Sequence, residues 1–349
     1  MRRDIAPRAL RRDIAPRALR RDAAGRHRTR AGGDLTSRRA CLALPLALTA
    51  CAAQGDTLPR AGPFPLPEPR TPGLRPRGGL VLDTSAWGFG GFSGLHLASD
   101  LTLTAVSDRG RWWRARLELD AAGAPRAVSG VRHGPLRDAA GAPLRGITHG
   151  DAEALTRLPD GDWLVGFERR HRLQRHRLLE GPGAPFPSPP GLTDAPSNGG
   201  LEGLTLLADG RLLALAEQLR GTAPGTTRAW LGTIAGRRVA WTPRDYVPAT
   251  PMVPTGAAGL PDGGALVVER DFSLFGGFRC RLAHLPPQAF AGSGPLRGET
   301  LLHLPGDGPA DNWEGVAVAR HAGRTLVALI SDDNERAAQR SMVLLYDMP

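Results

Sequence analysis

The sequence predicts an all-β chain folded as a β-propeller, and three observations carry that prediction. A hairpin unit with an acid at each end occupies residues 198–217, the same layout returns in four further places, and the opening residues of the five units lie roughly 49 to 60 residues apart. That period holds four short strands and their turns, the content of one blade. Parallel solenoids repeat at shorter intervals, and helical repeats would carry a 3.6-residue apolar period that is absent here. A β-sandwich would accept the strands but gives no reason for acids at matched positions.

In the clearest unit Glu202 opens a short apolar strand, Asp209-Gly210 makes a tight turn, Leu212 to Ala216 runs back, and Glu217 closes. A hairpin brings its first and last residues side by side, so both acids reach the same end. Glu153, Asp160-Gly161 and Glu168 keep the same spacing, with seven residues to the turn aspartate and eight more to the closing acid. Ser93, Asp100 and Asp108 keep it with serine in the opening place. Downstream, Thr255 stands seven before Asp262-Gly263 and Glu269 follows seven later. The last unit opens at Asn312-Trp313-Glu314, turns at His321 to Arg324, and closes at Asp332.

Ahead of the repeats, Arg2 to Leu10 is duplicated without change at Arg11 to Leu19, and Arg-rich sequence that cannot bury a core follows. This reads as a solvated tail or an upstream start codon, with a nucleic-acid-binding arm as the alternative. Removing the 13 arginines and 4 aspartates of residues 1–51 leaves 32 basic against 30 acidic groups. The formal net charge of +11 therefore belongs to the leader and gives no reason to expect nucleic acid as a partner. Arg38-Arg39, an apolar run of about eleven residues, and Leu48-Thr49-Ala50-Cys51 form an export signal too short to span a bilayer. The basic pair resembles a twin-arginine signal, with Sec export as the alternative. Leu48 to Cys51 resembles a bacterial lipoprotein box, which implies cleavage before Cys51, acylation of its sulfur and a periplasmic, membrane-anchored product. Ordinary cleavage nearby would instead release a soluble one.

Residues 1–51 are thus expected as leader and signal, 52–78 as a proline-rich spacer, and 79–349 as one domain with a sizeable core. Residues 181–196 read as a long proline-rich surface loop. Cys280 is the one cysteine of the domain, so no internal disulfide is expected.

In a propeller the innermost strands line a central channel, so equivalent positions converge. The opening residues Glu153, Glu202 and Glu314 should then face one another with Ser93 and Thr255. Two carboxylates ~6 Å apart repel by about 2.8 kcal/mol at an effective dielectric of 20. Oxygen ligands without clustered His or Cys point to calcium as the ion that relieves this. Asp108, Glu168, Glu217, Glu269 and Asp332 should form a neighbouring ring of ligands or supports. Arg109, Arg169 and Arg270 follow three of these acids and either grip an anionic substrate or neutralise the acids as ion pairs. His149 is read as a general base or substrate contact, or as a solvated loop residue.

Leu201-Glu202-Gly203-Leu204, Asp151 to Leu155, Asn312 to Val316, Phe92 to Leu95 with Ser107 to Gly110, and Ser331 to Asn334 occur in an order that resembles the bacterial phytase-like family, "esterase-like activity of phytase". The resemblance runs from about Gly79 to the end. It implies a six-bladed propeller, with Trp230 to Tyr246 or strands from both termini supplying the sixth blade. It also implies hydrolysis of phosphate or other esters by metal-activated water, with Glu153, Glu202 and Glu314 at the catalytic centre. The absence of lysine departs from a phytase expectation. Gly91-Phe92-Ser93-Gly94 falls short of a G-x-S-x-G elbow because Leu95 takes the last place. The expected protein is a monomeric lipoprotein hydrolase for a small anionic or ester substrate; a non-catalytic binding propeller and a lactonase-like hydrolase are the alternatives.

Overall fold

The computed structural model describes residues 58–336 and 339–349, so the leader, Cys51 and its signal lie outside the described residues. Five antiparallel-rich sheets make up the fold. Blade one runs Phe92–Leu97, Thr102–Ser107, Arg111–Leu119 and Pro125–Pro135; blade two runs Ala152–Arg157, Trp163–Phe167, Arg172–His176 and Gly183–Phe186. Blade three runs Leu201–Leu206, Leu212–Arg220, Thr227–Ala235 and Arg238–Val247, with the short Leu296–Arg297 on its edge. Blade four holds Val253–Gly259, Ala265–Ser273, Gly277–Leu285 and Glu299–Leu304. Blade five begins with Asn312–His321, Arg324–Asp332 and Met342–Met348, and Arg75–Val81 and Gly62–Phe64 complete it from the other end of the chain.

The propeller therefore has five blades where six were expected. The strands around Trp230 and Tyr246 are the outer half of blade three, and the N-terminal strands close blade five. The five acid-bearing units account for every blade, and no strands remain for a sixth among the described residues. Part of the stretch expected as a spacer, from Gly62 onward, is thus built into a blade. In the proline-rich loop, Gly183–Phe186 pairs as the outer edge of blade two, a place where a proline lacking its N–H breaks no ladder.

Each innermost strand packs on that of the next blade, and the last packs on the first, which closes the ring. Five apolar cores fill the five seams, one between each pair of neighbouring blades. Trp313 is fully buried in the seam of blades four and five, where its indole donates to the Pro309 carbonyl at 3.0 Å. The expected turns are present: Gly161, Gly210 and Gly263 adopt φ of 88°, 83° and 96°, and the preceding aspartates accept backbone N–H bonds two residues on. Glycine has a second use at the ring. A Cβ on Gly256 would lie 2.1 Å from the Glu314 carbonyl oxygen, and one on Gly315 2.3 Å from that of Ser93, so neighbouring inner strands could not approach so closely. No helix among the described residues is long and apolar enough to cross a membrane.

Candidate metal centre

In all five blades the ladder between the first two strands slips at the opening residue: Ser93, Glu153, Glu202, Thr255 and Glu314 each sit in a bulge. A bulge adds one residue to its strand and re-aims the side chain, here toward the channel end. The closing residues are pinned beside them by backbone bonds, from Glu168 N–H to the Asp151 carbonyl and from Glu217 N–H to that of Gly200, both at 2.8 Å. Ser93, Glu153, Glu202 and Glu314 meet Asp108, Glu168, Glu217 and Asp332 around a cavity of about 190 Å³.

Two expected members are placed differently. Thr255 is fully buried at the matching position, and its hydroxyl donates to the Trp313 carbonyl of the next blade at 3.2 Å. Glu269 does not reach the cavity, which corrects its place in the closing ring. Blade three pairs Leu201 with Ala216, and blade four pairs Pro254 with Glu269, so the residue equivalent to Glu217 is Arg270. Alternation then turns Glu269 to the opposite face. There it accepts from the Tyr246 hydroxyl, from Ala249 N–H at 3.0 Å and from Arg281 at 3.1 Å.

The arginines are committed to acids. Arg270 enters the cavity, donating to Glu314 at 3.0 Å, to Glu217 at 3.1 Å and to Asn312. Arg169 bonds Asp151 at 2.6 Å and Asn198 at 2.9 Å from a left-handed backbone, φ 53°, that a non-glycine residue holds only under constraint. Arg109 does not line the cavity; it pairs with Glu335 and stands 3.6 Å from the cavity acid Asp108. His149 is exposed on the short helix Ile147–Gly150, beside Arg170 at 2.7 Å and away from the cavity. The ion-pair reading of the arginines thus describes what they do in the structure.

Hydrogen bonding is uneven around the ring. Glu314 is held by Ser93 at 3.0 Å, Arg270 and Asn312, whose amide also donates to Asp332 at 3.0 Å. Glu153, Glu168 and Glu202 stand among other carboxylates, with no guanidinium reaching them among the described residues. Burial first, and then the negative neighbours Glu314 and Asp151, push the Glu153 carboxyl well above its ordinary range. Glu202 is raised in the same way by burial and by Glu153 and Glu168. Burial lifts Glu168 to about 7 against an opposing bond from Gly200 N–H, and lifts Asp108 to about 6. Asp332 is raised by burial and by Glu314. Burial would lower Arg270, but Glu314, Glu217 and Glu202 outweigh it and hold the guanidinium charged.

Asp151, Glu153 and Glu168 each offer an oxygen within 4.8 Å of the others, and Glu168, Glu202 and Glu217 do the same. Oxygens bound to one calcium at about 2.3–2.6 Å lie no more than about 5 Å apart, so both triads have the spacing and the hard donor set for that ion. Among the described residues no His or Cys lines the cavity to favour a softer metal. Sequence reasoning had passed over Asp151 and Asn198 as cavity residues. Asp151 stands two residues before Glu153, where blades one and three carry Gly91 and Gly200, so a misplaced acid was its only signal.

The model of the phytase-like family, described as "esterase-like activity of phytase", matches residues 87–335. The chain belongs to that family. None of the curated proteins matches this phytase-like chain. Among solved structures it is similar to a gluconolactonase from Xanthomonas campestris at 12% identity, over 84% of this chain and 99% of that one, with a TM-score of 0.42. It is also similar to a luciferin-regenerating enzyme at 11% identity, over 74% and 91%, with a TM-score of 0.41. A virginiamycin B lyase from Staphylococcus aureus matches at 12%, over 84% and 83%, with a TM-score of 0.37. Such distant likeness says nothing about the reaction of this phytase-like protein.

Proposed function

We propose that the acid end of the channel holds a divalent cation of the calcium type and that the protein hydrolyses esters there. The observation that carries this reading is the pair of buried triads that share Glu168, three of whose five acids have no cationic partner among the described residues. Asp151, Glu153, Glu168, Glu202 and Glu217 would hold the ion. A bound calcium would polarise the ester oxygen and lower the pKa of a water. Ser93 and Arg270 fix the carboxylate of Glu314 at the cavity wall. Asp108, raised to about 6, is ionised at neutral pH and placed to accept a proton. The family's description, with its esterase-like activity, points the same way.

The test is calcium titration by calorimetry, with ester and phosphoester turnover measured with and without the ion. About micromolar binding is expected. Glu202→Gln should weaken it at least tenfold and cut calcium-dependent turnover alike; full retention of both would remove the metal role. Export and acylation at Cys51 complete the reading, and they predict fatty-acid labelling in the bacterial host that Cys51→Ala abolishes. Labelling that survives the substitution would point to a different anchor.

A further inference from the structure

The acid cavity is too small to enclose more than the reacting group of a substrate. Its 190 Å³ is the space of about six waters, below the ~300 Å³ at which small-molecule sites begin. A second cavity of about 410 Å³ adjoins it and shares Glu217, Arg270 and Asn334 with it. The wall of this groove comes from the second hairpin of blade four, where Ala265–Ser273 pairs with Gly277–Leu285.

Alternation fixes what that wall presents. Arg270 points into the acid cavity, so Phe272 shares its face, and the cross-strand partner Phe278 stands opposite Phe272. The two rings pack at 4.8 Å between centroids, and both line the groove with Pro251 and Val253. Phe272 nevertheless remains 54% exposed, an apolar surface left in water beside a charged site. Asp271, paired with Arg279, and the exposed Arg336 also line the groove.

Charge decides between substrate classes. Eight carboxylates face two guanidiniums at the acid cavity, Arg270 and Arg169 are bound to acids, the groove adds the guanidinium of Arg336 beside Asp271 and Glu217, and the chain has no lysine. A polyphosphorylated molecule meets repulsion there that one cation relieves only in part. We infer that the substrate is a neutral carboxylic ester or lactone with an alkyl or aryl group, which lies along Phe272 and Phe278 while its carbonyl reaches the acid cavity. This rests on the hydrolase reading above. In the reaction, water adds to the carbonyl carbon, the bond from that carbon to the alcohol oxygen breaks, and the alcohol leaves with one of the water's protons.

The experiment compares 4-nitrophenyl acetate, butyrate and octanoate with 4-nitrophenyl phosphate and phytate, using calcium-loaded full-length protein. A parallel calorimetric titration uses octyl 4-nitrophenyl ether, which cannot be hydrolysed. The expected kcat/KM rises about tenfold or more from acetate to octanoate, consistent with half-burial of the added methylenes, and the phosphates are poor substrates. Phe272→Ser should flatten the chain-length dependence and weaken ether binding by a similar factor. Phe275→Ser, at the fully exposed tip and outside the groove, should change neither. Turnover indifferent to chain length and to Phe272→Ser overturns the groove assignment while leaving the hydrolase reading intact. Preference for phytate, or absence of ether binding, overturns it as well. Ether binding that Phe272→Ser weakens, with no turnover of any ester, upholds the groove and sinks the hydrolase reading.

Discussion

Blade three brings Glu202 and Glu217 to the channel end, whereas blade four, built on the same bulged hairpin, carries Thr255 and Arg270 at those two positions. One blade contributes two carboxylates, and its neighbour contributes a buried hydroxyl and a guanidinium that reaches back to Glu217 and across to Glu314. The fold therefore supplies five equivalent places, and the side chains break the symmetry. Arg270 of blade four offsets an acid on each neighbouring blade, while Glu153, Glu168 and Glu202, which no guanidinium reaches among the described residues, lie on blades two and three.

Removing Arg270 is the strongest way to break that contrast. Arg270→Ala leaves the buried carboxylates of Glu217 and Glu314 without their partner, and stripping one member from a buried pair costs about 3–5 kcal/mol. The cost should depend on pH. Glu168, at about 7, and Asp108, at about 6, keep protons that the unfolded chain has released above its ordinary carboxylate range near 4. Folding then takes up protons, so the calcium-free protein loses stability as pH rises from about 4 through about 7. Arg270 lowers the pKa of Glu217 against the larger effect of burial, so its loss adds another proton-binding group and steepens the decline. Denaturant unfolding of both proteins at pH 5 and pH 8 in a chelator measures this. Equal losses at the two pH values would show that Arg270 supports packing alone.

Glu269 sharpens the same comparison from the other face. Glu269 is the acid at the end of the fourth unit, but the eight-residue spacing from turn aspartate to closing position in the first three units falls on Arg270. Glu269→Gln should cost about 3 kcal/mol, since Arg281 is left in the interior without its countercharge. Calcium affinity by calorimetry should stay within twofold of wild type. A drop like that expected for Glu202→Gln would return Glu269 to the metal centre.

Much of this centre was legible in the sequence because its parts repeat. Glu153, Glu202 and Glu314 open apolar strands, and Asp108, Glu168 and Glu217 close hairpins of fixed length, so one copy located the others. Blade number differs because the resemblance implies six blades, whereas the repeated units count five. The strands around Trp230 carry no acid at the repeated positions, and sequence alone does not show that they extend blade three outward. Asn198 and Asn334 reach the cavity outside the repeated positions, and the partners of Arg169 and Arg270 are chosen by packing between blades. Spacing along a chain carries no record of those contacts.

The smallest expected effect concerns Thr255, the position where blade four lacks its acid. Its hydroxyl is fully buried and joins the inner strands of blades four and five through the Trp313 carbonyl. Valine matches threonine in shape, so Thr255→Val removes that bond with little change in packing. One buried hydrogen bond is worth about 1 kcal/mol. The variant should lose about that much in denaturant unfolding and bind calcium as wild type does, because blade four gives the ion nothing at this position. A weakened calcium affinity with unchanged stability would mean that the hydroxyl turns inward when the ion is bound. The asymmetry between blades three and four would then belong to the ion-free protein alone.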